Sequence, residues 1–507
     1  MKKILTLAFS VSFCINIFAQ QVPNDAIGYY QDALIFAQPT SPMGSARVQA
    51  LAGANVAIGA DVYATASNPA GLGLLKRGQF NMGLAFSNLQ SQANYIDTDT
   101  NNGYSYLKFN NIGFAIPISE GNAGEYKGGS VAVSVMRTNN YQRELSYEGL
   151  NLRSTLADRF TLLADGIDAN ILENEAATGE ILDLASLAYA NYVINPYTDD
   201  STAYYTEFRD INDNLVAPIR QRETMKVKGG ETTFHISYGG NYADKLFFGF
   251  GMGIATLRYK LSSTYQENLS KQAADGELQE FSLQNNRTTT GGGVNFNFGL
   301  IYRPINAVRI GASIATPTFY ALQEKDENTM TATSVGFSPV SNATIPSEFN
   351  FTYSSPLRIN TGLAIFIKKY GFITAEAEWV DYAGMSLSAE DATLDADKKA
   401  IGALYTSAFN FRGGAEIRIN SFRLRAGTAY YQSAFKDNFD GAKREIWAYS
   451  GGLGLFLNKS FSLDFSMTYT PSATTYTPYT LPNSDYYYSV SSKNRQITGM
   501  LSASLFF

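Results

Sequence analysis

The last eleven residues, ITGMLSASLFF, place Ile497, Leu501, Ala503, Leu505 and the terminal Phe507 on one face of an extended chain, with Gln496, Thr498, Ser502 and Ser504 opposite. A strand that meets lipid on one side and a wet lumen on the other needs this apolar-out, polar-in alternation. In a bilayer every backbone polar group must be paired, so such strands are viable only when the sheet closes on itself. No stretch after the N-terminus approaches the 18 or so apolar residues of a spanning helix. The expected fold is therefore an all-β transmembrane protein, an antiparallel outer-membrane β-barrel. Outer-membrane lipid is its surroundings, and Phe507 is the expected contact for the barrel-assembly machinery.

Residues 1–20 carry Lys2 and Lys3, an apolar core from Ile4 to Phe18, and Ala19 at the end, the layout of a secretory signal peptide. Cys14 follows the bulky Phe13, whereas a lipid-attachment site wants a small residue there. Once the signal is removed the chain has no cysteine, so its stability cannot rest on disulfides. The net charge of -6 gives no basic footprint for nucleic acid. Residues 21–77 precede the first strand, and no linker divides the chain after Gly78, so 78–507 reads as one barrel.

Alternating segments fall near 78–90, 104–118, 130–147, 226–242, 245–260, 283–303, 308–320, 347–367, 370–386, 404–419, 421–434, 445–457, 460–471 and 494–507, about fourteen strands. Short connections at 242–245, 304–307, 368–370, 420–421 and 458–460 are expected on the periplasmic side. The longer segments 148–225, 261–282, 321–346, 387–403, 435–444 and 472–493 are expected outside the cell. In the largest, 148–225, Leu152, Leu156, Phe160 and Leu163 recur at helical spacing. They fit either a helix packed on the rim or a groove that collects ligand.

Outward parity holds Leu357, Ile359, Leu363 and Ile365, then Ile373, Ala375, Ala377 and Trp379, then Ala415, Ile417 and Ile419, then Phe422, Leu424 and Ala426. The opposite parity of the same strands holds Arg358, Glu376, Glu378, Arg412, Glu416, Arg418, Arg423 and Arg425. A cation on the lipid face near the midplane would cost roughly 2–4 kcal/mol, and a one-residue slip would expose every one of these ions. They form a lumen charge network, read either as paired ions that hold a plug or as direct contacts for a ligand carboxylate. On the third strand Val131, Val133 and Val135 face lipid, but the same parity reaches Arg137 and Asn139. Either the membrane ends near Val135 or the strand kinks at Thr138 to Asn140.

The small, Ala/Gly-rich segment before the first strand suits a plug of short helices ended by Pro and Gly. Arg47, Asp61 and the run Asn68-Pro69-Ala70-Gly71-Leu72 just before the first strand resemble the FadL family of outer-membrane transporters for hydrophobic compounds. With GYYQDALIFAQ and NPAGLGLL, the likeness is closest to the large barrels of Bacteroidetes often labelled hemin receptors. The resemblance implies a 14-stranded barrel, a hatch at 21–77 that includes Arg47, Asp61 and Asn68 to Leu72, and a lateral gate at a kink in the third strand. Thr138, Asn139 and Asn140 are the residues carried onto that kink. It also implies passive uptake of hydrophobic small molecules, long-chain fatty acids first, through loop capture and an internal apolar pocket, with localisation in the bacterial outer membrane.

An enzyme is not expected. The single histidine, His235, lies between Phe234 and Ile236 with inward parity, beside Thr233 and Ser237. It reads as a lumen histidine, with acid/base and haem-ligand roles as alternatives. No G-x-S-x-G elbow occurs, and no second histidine exists to complete H-E-x-x-H. No catalytic residue, metal ligand or cofactor is assigned. Two further functions remain open, a polar-solute porin and a non-transport barrel such as a type IX secretion shuttle, which resembles the same family.

Overall fold

A computed structural model describes residues 26–118, 124–391, 393–436 and 443–507. Period-two segments rich in β-branched and aromatic residues form fourteen antiparallel strands in chain order. They are β1 Gln79–Tyr95, β2 Thr98–Ile118, β3 Tyr126–Asn140 continuing as Arg143–Asn151, β4 Ile219–Tyr242, β5 Leu246–Leu269, β6 Leu278–Ile305 and β7 Val308–Ala315 continuing as Phe319–Ser334. The wall goes on with β8 Ser347–Ser354 continuing as Arg358–Ile367, β9 Gly371–Asp381, β10 Ser407–Ile419, β11 Phe422–Tyr431, β12 Ile446–Phe456, β13 Phe461–Tyr476 and β14 Val490–Phe506. β14 pairs with β1 from Gln79↔Phe506 to Asn94↔Ser491, which closes the cylinder. At the seam Gly78 and Phe507 exchange backbone hydrogen bonds of 2.9 and 3.1 Å.

The parity reading fits the wall. Ile497, Leu501, Leu505 and Phe507 are exposed on the outside, and Gln496, Thr498, Ser502 and Ser504 are buried inside. On β5 the outer row runs Phe248, Phe250, Ile254 and then Arg258 and Lys260, which marks the upper edge of the apolar belt.

Two expected loops, 261–282 and 321–346, are largely strand instead, and so is the unassigned gap 91–103 between the first two candidate strands. The β1–β2 ladder runs past 91–103 to Tyr95↔Thr98, where Ile96 and Asp97 turn with φ of 46° and 58°. β5 and β6 fill most of 261–282, and β7 with a short strand at Val340–Ala343 fills much of 321–346. Above the belt the outer face meets water and the inner face packs on the outer cap, through Tyr265, Leu269, Leu278, Phe281, Met330 and Ala332, so the apolar-out alternation that identified the strands no longer applies there. At 404–419 the strand begins only at Ser407.

The short helices are α1 Tyr29–Ala37, α2 Ala46–Gln49 and α3 Ala64–Ser67, followed by a 3-10 turn at Pro69–Leu74, all inside the barrel. Outside, 148–225 carries α4 Leu156–Ala164, α5 Ala169–Thr178 and α6 Leu184–Ala190, and α7 Asp395–Leu404 follows β9. Of the four residues at helical spacing, Leu156 and Phe160 are buried in α4, whereas Leu152 precedes the helix and is exposed, as is Leu163. The face that packs is completed by Ala157 and Ala164. The expected signal peptide 1–20, the first five hatch residues and the middle of loop 435–444 lie outside the described residues.

Candidate functional site

Asn68 connects hatch and wall. Its Oδ1 accepts from the Ala70 N–H at 3.1 Å, which caps the 3-10 turn, while its Nδ2 donates to Val56 O at 2.8 Å and to Leu300 O and Ala312 O on β6 and β7 at 3.3 Å. The wall admits so close an approach because Gly299 has no side chain: a Cβ there would sit 1.9 Å from Asn68 Oδ1. Within the hatch, Gly71 packs on Gly59, where a Cβ would meet the Gly59 Cα at 2.7 Å. Pro69, Ala70 and Leu72 are buried. Arg47 donates to Ala60 O at 3.1 Å and faces Asp61 at 3.7 Å, and Asp61 accepts the Tyr63 N–H at 2.8 Å.

The lumen charges form two paired groups. Arg412 bonds Glu376 at 2.5 Å and Glu378 at 2.6 Å, and Arg358 lies 3.4 Å from Glu378. Nearer the periplasmic end, Glu416 takes Arg418 and Arg425 on separate oxygens at 2.7 Å, and Arg425 also bonds Asp464 at 2.5 Å. Arg423 donates to backbone carbonyls. The first group also grips the front of the chain: Glu376 accepts the N–H groups of Asn55 and Val56 at 3.0 and 3.1 Å, and Arg358 donates to Ala37 O at 2.6 Å.

α1 runs through the middle of the lumen. Its unpaired N-terminal amides need acceptors, and Asp397 of α7 takes Ile27, Gly28 and Tyr30 N–H at 2.9–3.0 Å. Its last carbonyls meet Arg358 and Asn139, whose Nδ2 donates to Phe36 O at 2.8 Å and Gln38 O at 3.3 Å. Asp32 pairs with Arg287 at 2.9 Å, and the Tyr29 hydroxyl donates to Glu324 at 2.6 Å. Around it stand Val227, Leu257, Tyr259, Leu322, Phe351 and Tyr353, an apolar, aromatic lining. Asp397, Arg287, Glu324 and Asp32 escaped the sequence reading. Carrying the period-two count past the apolar belt would have turned Arg287 inward, but not Glu324, because the parity of β7 reverses across the break between Ala315 and Phe319.

Beside this lining the wall parts. β2 and β3 pair only from Asn111↔Met136 to Ile118↔Gly129, and above that point β3 pairs with β4 alone. The β3–β4 register slips between Arg137 and Asn139, so the strand bulges at Thr138. Arg137 donates to Gly229 O and to the Thr232 hydroxyl on β4, and Thr138 donates to Glu231 at 2.5 Å. Asn140 reaches back across the parting to the Tyr106 hydroxyl at 2.6 Å. Leu107 and Phe109 stand exposed on its outer lip.

The outer cap rests on strand ends that stand above the belt. Glu267 of β5 accepts from the Thr155 hydroxyl, Leu156 N–H, Gln221 and Tyr265, which fixes the start of α4. Burial pushes its carboxyl up to about 7 against those hydrogen bonds. Arg209 chelates Asp158 of α4 through two 2.6 Å bonds.

His235 is buried on the inner wall, opposite Ser134 and Gly253, and neither ring nitrogen reaches a protein partner among the described residues. Among those residues no three His, Cys, Asp or Glu side chains gather as a metal site would need.

No family model and no curated protein sequence matches the chain. Solved structures do resemble it. A Pseudomonas aeruginosa FadL homologue superposes with a TM-score of 0.55 at 11% identity, covering 93% of this chain and 99% of that one. The Pseudomonas putida toluene transporter TodX gives 0.51 at 12% identity, covering 93% and 100%. At such identity the likeness speaks for the fold: this chain has the fold of a FadL-type barrel, with short helices plugging fourteen strands.

Proposed function

We propose that this protein is an outer-membrane channel for passive uptake of hydrophobic compounds, with long-chain fatty acids the first candidates. Cargo is collected under the outer cap, enters the aromatic lining around α1, and leaves sideways where β2 and β3 part. The observation that carries this reading is the end of the β2–β3 ladder at Met136, beside an apolar lumen that the hatch shuts off below. Solved barrels of the same fold include a toluene transporter, which supports a hydrophobic cargo. An acyl chain gains about 0.8 kcal/mol per CH2 on leaving water, so a dry path that opens into lipid conducts it without an energy source. Thr138, Asn139 and Asn140 form the gate in this scheme, and the hatch residues Arg47, Asp61 and Asn68 to Leu72 keep polar solutes out.

The test is uptake of radiolabelled oleate and toluene by cells with and without the protein. Faster entry of either supports a hydrophobic channel, and oleate ahead of toluene supports the fatty-acid assignment. Equal entry of both in the two strains would sink the proposal.

A further inference from the structure

Below the hatch, at the periplasmic mouth, a cavity of about 280 Å³ lies between hatch and wall. Five arginines, Arg47, Arg77, Arg418, Arg423 and Arg425, line it together with three carboxylates, Asp61, Glu416 and Asp464. The carboxylates are already engaged: Arg425 and Arg418 share Glu416, Arg425 also takes Asp464, and Arg47 faces Asp61. Two cations are left over. Among the described residues Arg77 donates only to Lys459 O, and Arg423 only to Asn420 O and Phe422 O, carbonyls that cancel no charge.

Each of these two guanidiniums lies over a phenyl ring. Arg77 is 5.3 Å from the Phe506 centroid and Arg423 is 4.9 Å from that of Phe456, and the two rings stack 6.1 Å apart. Gln79 in the same lining is buried, and its Oε1 has no protein partner. Planar guanidiniums present paired donors that match an oxyanion, and the rings offer a floor for an apolar body. Paired ions elsewhere in the lining fix the walls and leave the excess charge at the mouth.

We propose that this vestibule binds small amphiphilic oxyanions, carboxylate- or phosphate-headed, with the head on Arg77 and Arg423 and the body on Phe456 and Phe506. The site lies on the far side of the hatch from the sideways route, so it does not depend on the cargo carried there.

Titration calorimetry on the purified full chain in a neutral maltoside detergent tests it, with 3-phenylpropionate, phenyl phosphate and the uncharged 3-phenylpropanol as probes. The expected result is saturable binding of at least one anion, at least tenfold weaker binding of the alcohol, and at least a tenfold loss in R77Q/R423Q. That variant leaves the Glu416 and Asp464 pairs intact, and an unchanged heat-dependent gel shift reports a folded barrel. The tighter of the two anions identifies the head group. Equal affinity in the folded variant, equal affinity for the alcohol, or no saturable binding of either anion would overturn the assignment. Because purified protein is measured, an uptake experiment that fails leaves this result standing.

Discussion

Arg412 holds two buried carboxylates at once, and removal of its charge leaves Glu376 without a counter-ion and Glu378 with Arg358 alone, at 3.4 Å. Breaking such a pair costs about 3–5 kcal/mol, so Arg412→Ala is expected to unfold at markedly lower urea by the gel-shift assay. Replacing Glu376 and Glu378 by Gln in the same chain is expected to restore much of the loss. Gly299 makes a different demand, for space. The added methyl of Gly299→Ala collides with Asn68 Oδ1, which is expected to unseat the 3-10 turn while the wall still closes, read as raised ion conductance in planar bilayers. The inward placement of the eight lumen charges was legible from parity alone, because the bilayer forbids the other face. Their partners were not. Pairing of Glu376 with the Asn55 and Val56 amides joins positions more than 300 residues apart, and no local pattern encodes such a contact.

Along β2 the upper residues have a ladder partner only on the β1 side, whereas 111–115 are paired on both. Hydrogen exchange is therefore expected to be faster in 103–110 than in 111–115, and equal protection would mean that the parting is closed in solution. The outer helix α4 has its own control. The Glu267 carboxyl is raised to about 7 in the fold from an ordinary 4.5, so its contribution is complete below about pH 4.5 and is lost as pH rises through 7. The loss amounts to about 3 kcal/mol. Exchange in 156–164, corrected for its intrinsic pH dependence, is expected to quicken between about pH 5 and 7 and to level off above that in the natural chain, and to stay flat throughout in Glu267→Gln. Strand number and order could be read from the sequence within the belt, where lipid imposes a period of two. Above the belt that constraint ends, which is why β5, β6 and β7 run farther than their pattern shows.

Taken together, the hatch and α1 fill the cylinder from the periplasmic mouth to the outer cap, and every level of the wall contributes a contact. Removal of 26–77 is expected to leave a folded barrel that passes ions freely, whereas the intact chain holds current near the baseline, both read in planar bilayers. A porin would conduct in either form. The general plan was legible because a closed sheet, a small-residue front segment and a terminal aromatic strand each have a compositional signature. The role of α1 was not, since a nine-residue helix with one acid among apolar neighbours reveals nothing of Arg287 or Asp397. The seam at Gly78 and Phe507 has a further consequence, for the order of events during biogenesis. Once β14 locks onto β1 the wall is a ring, so the front segment reaches its seat either before that seam forms or afterwards through an end of the cylinder.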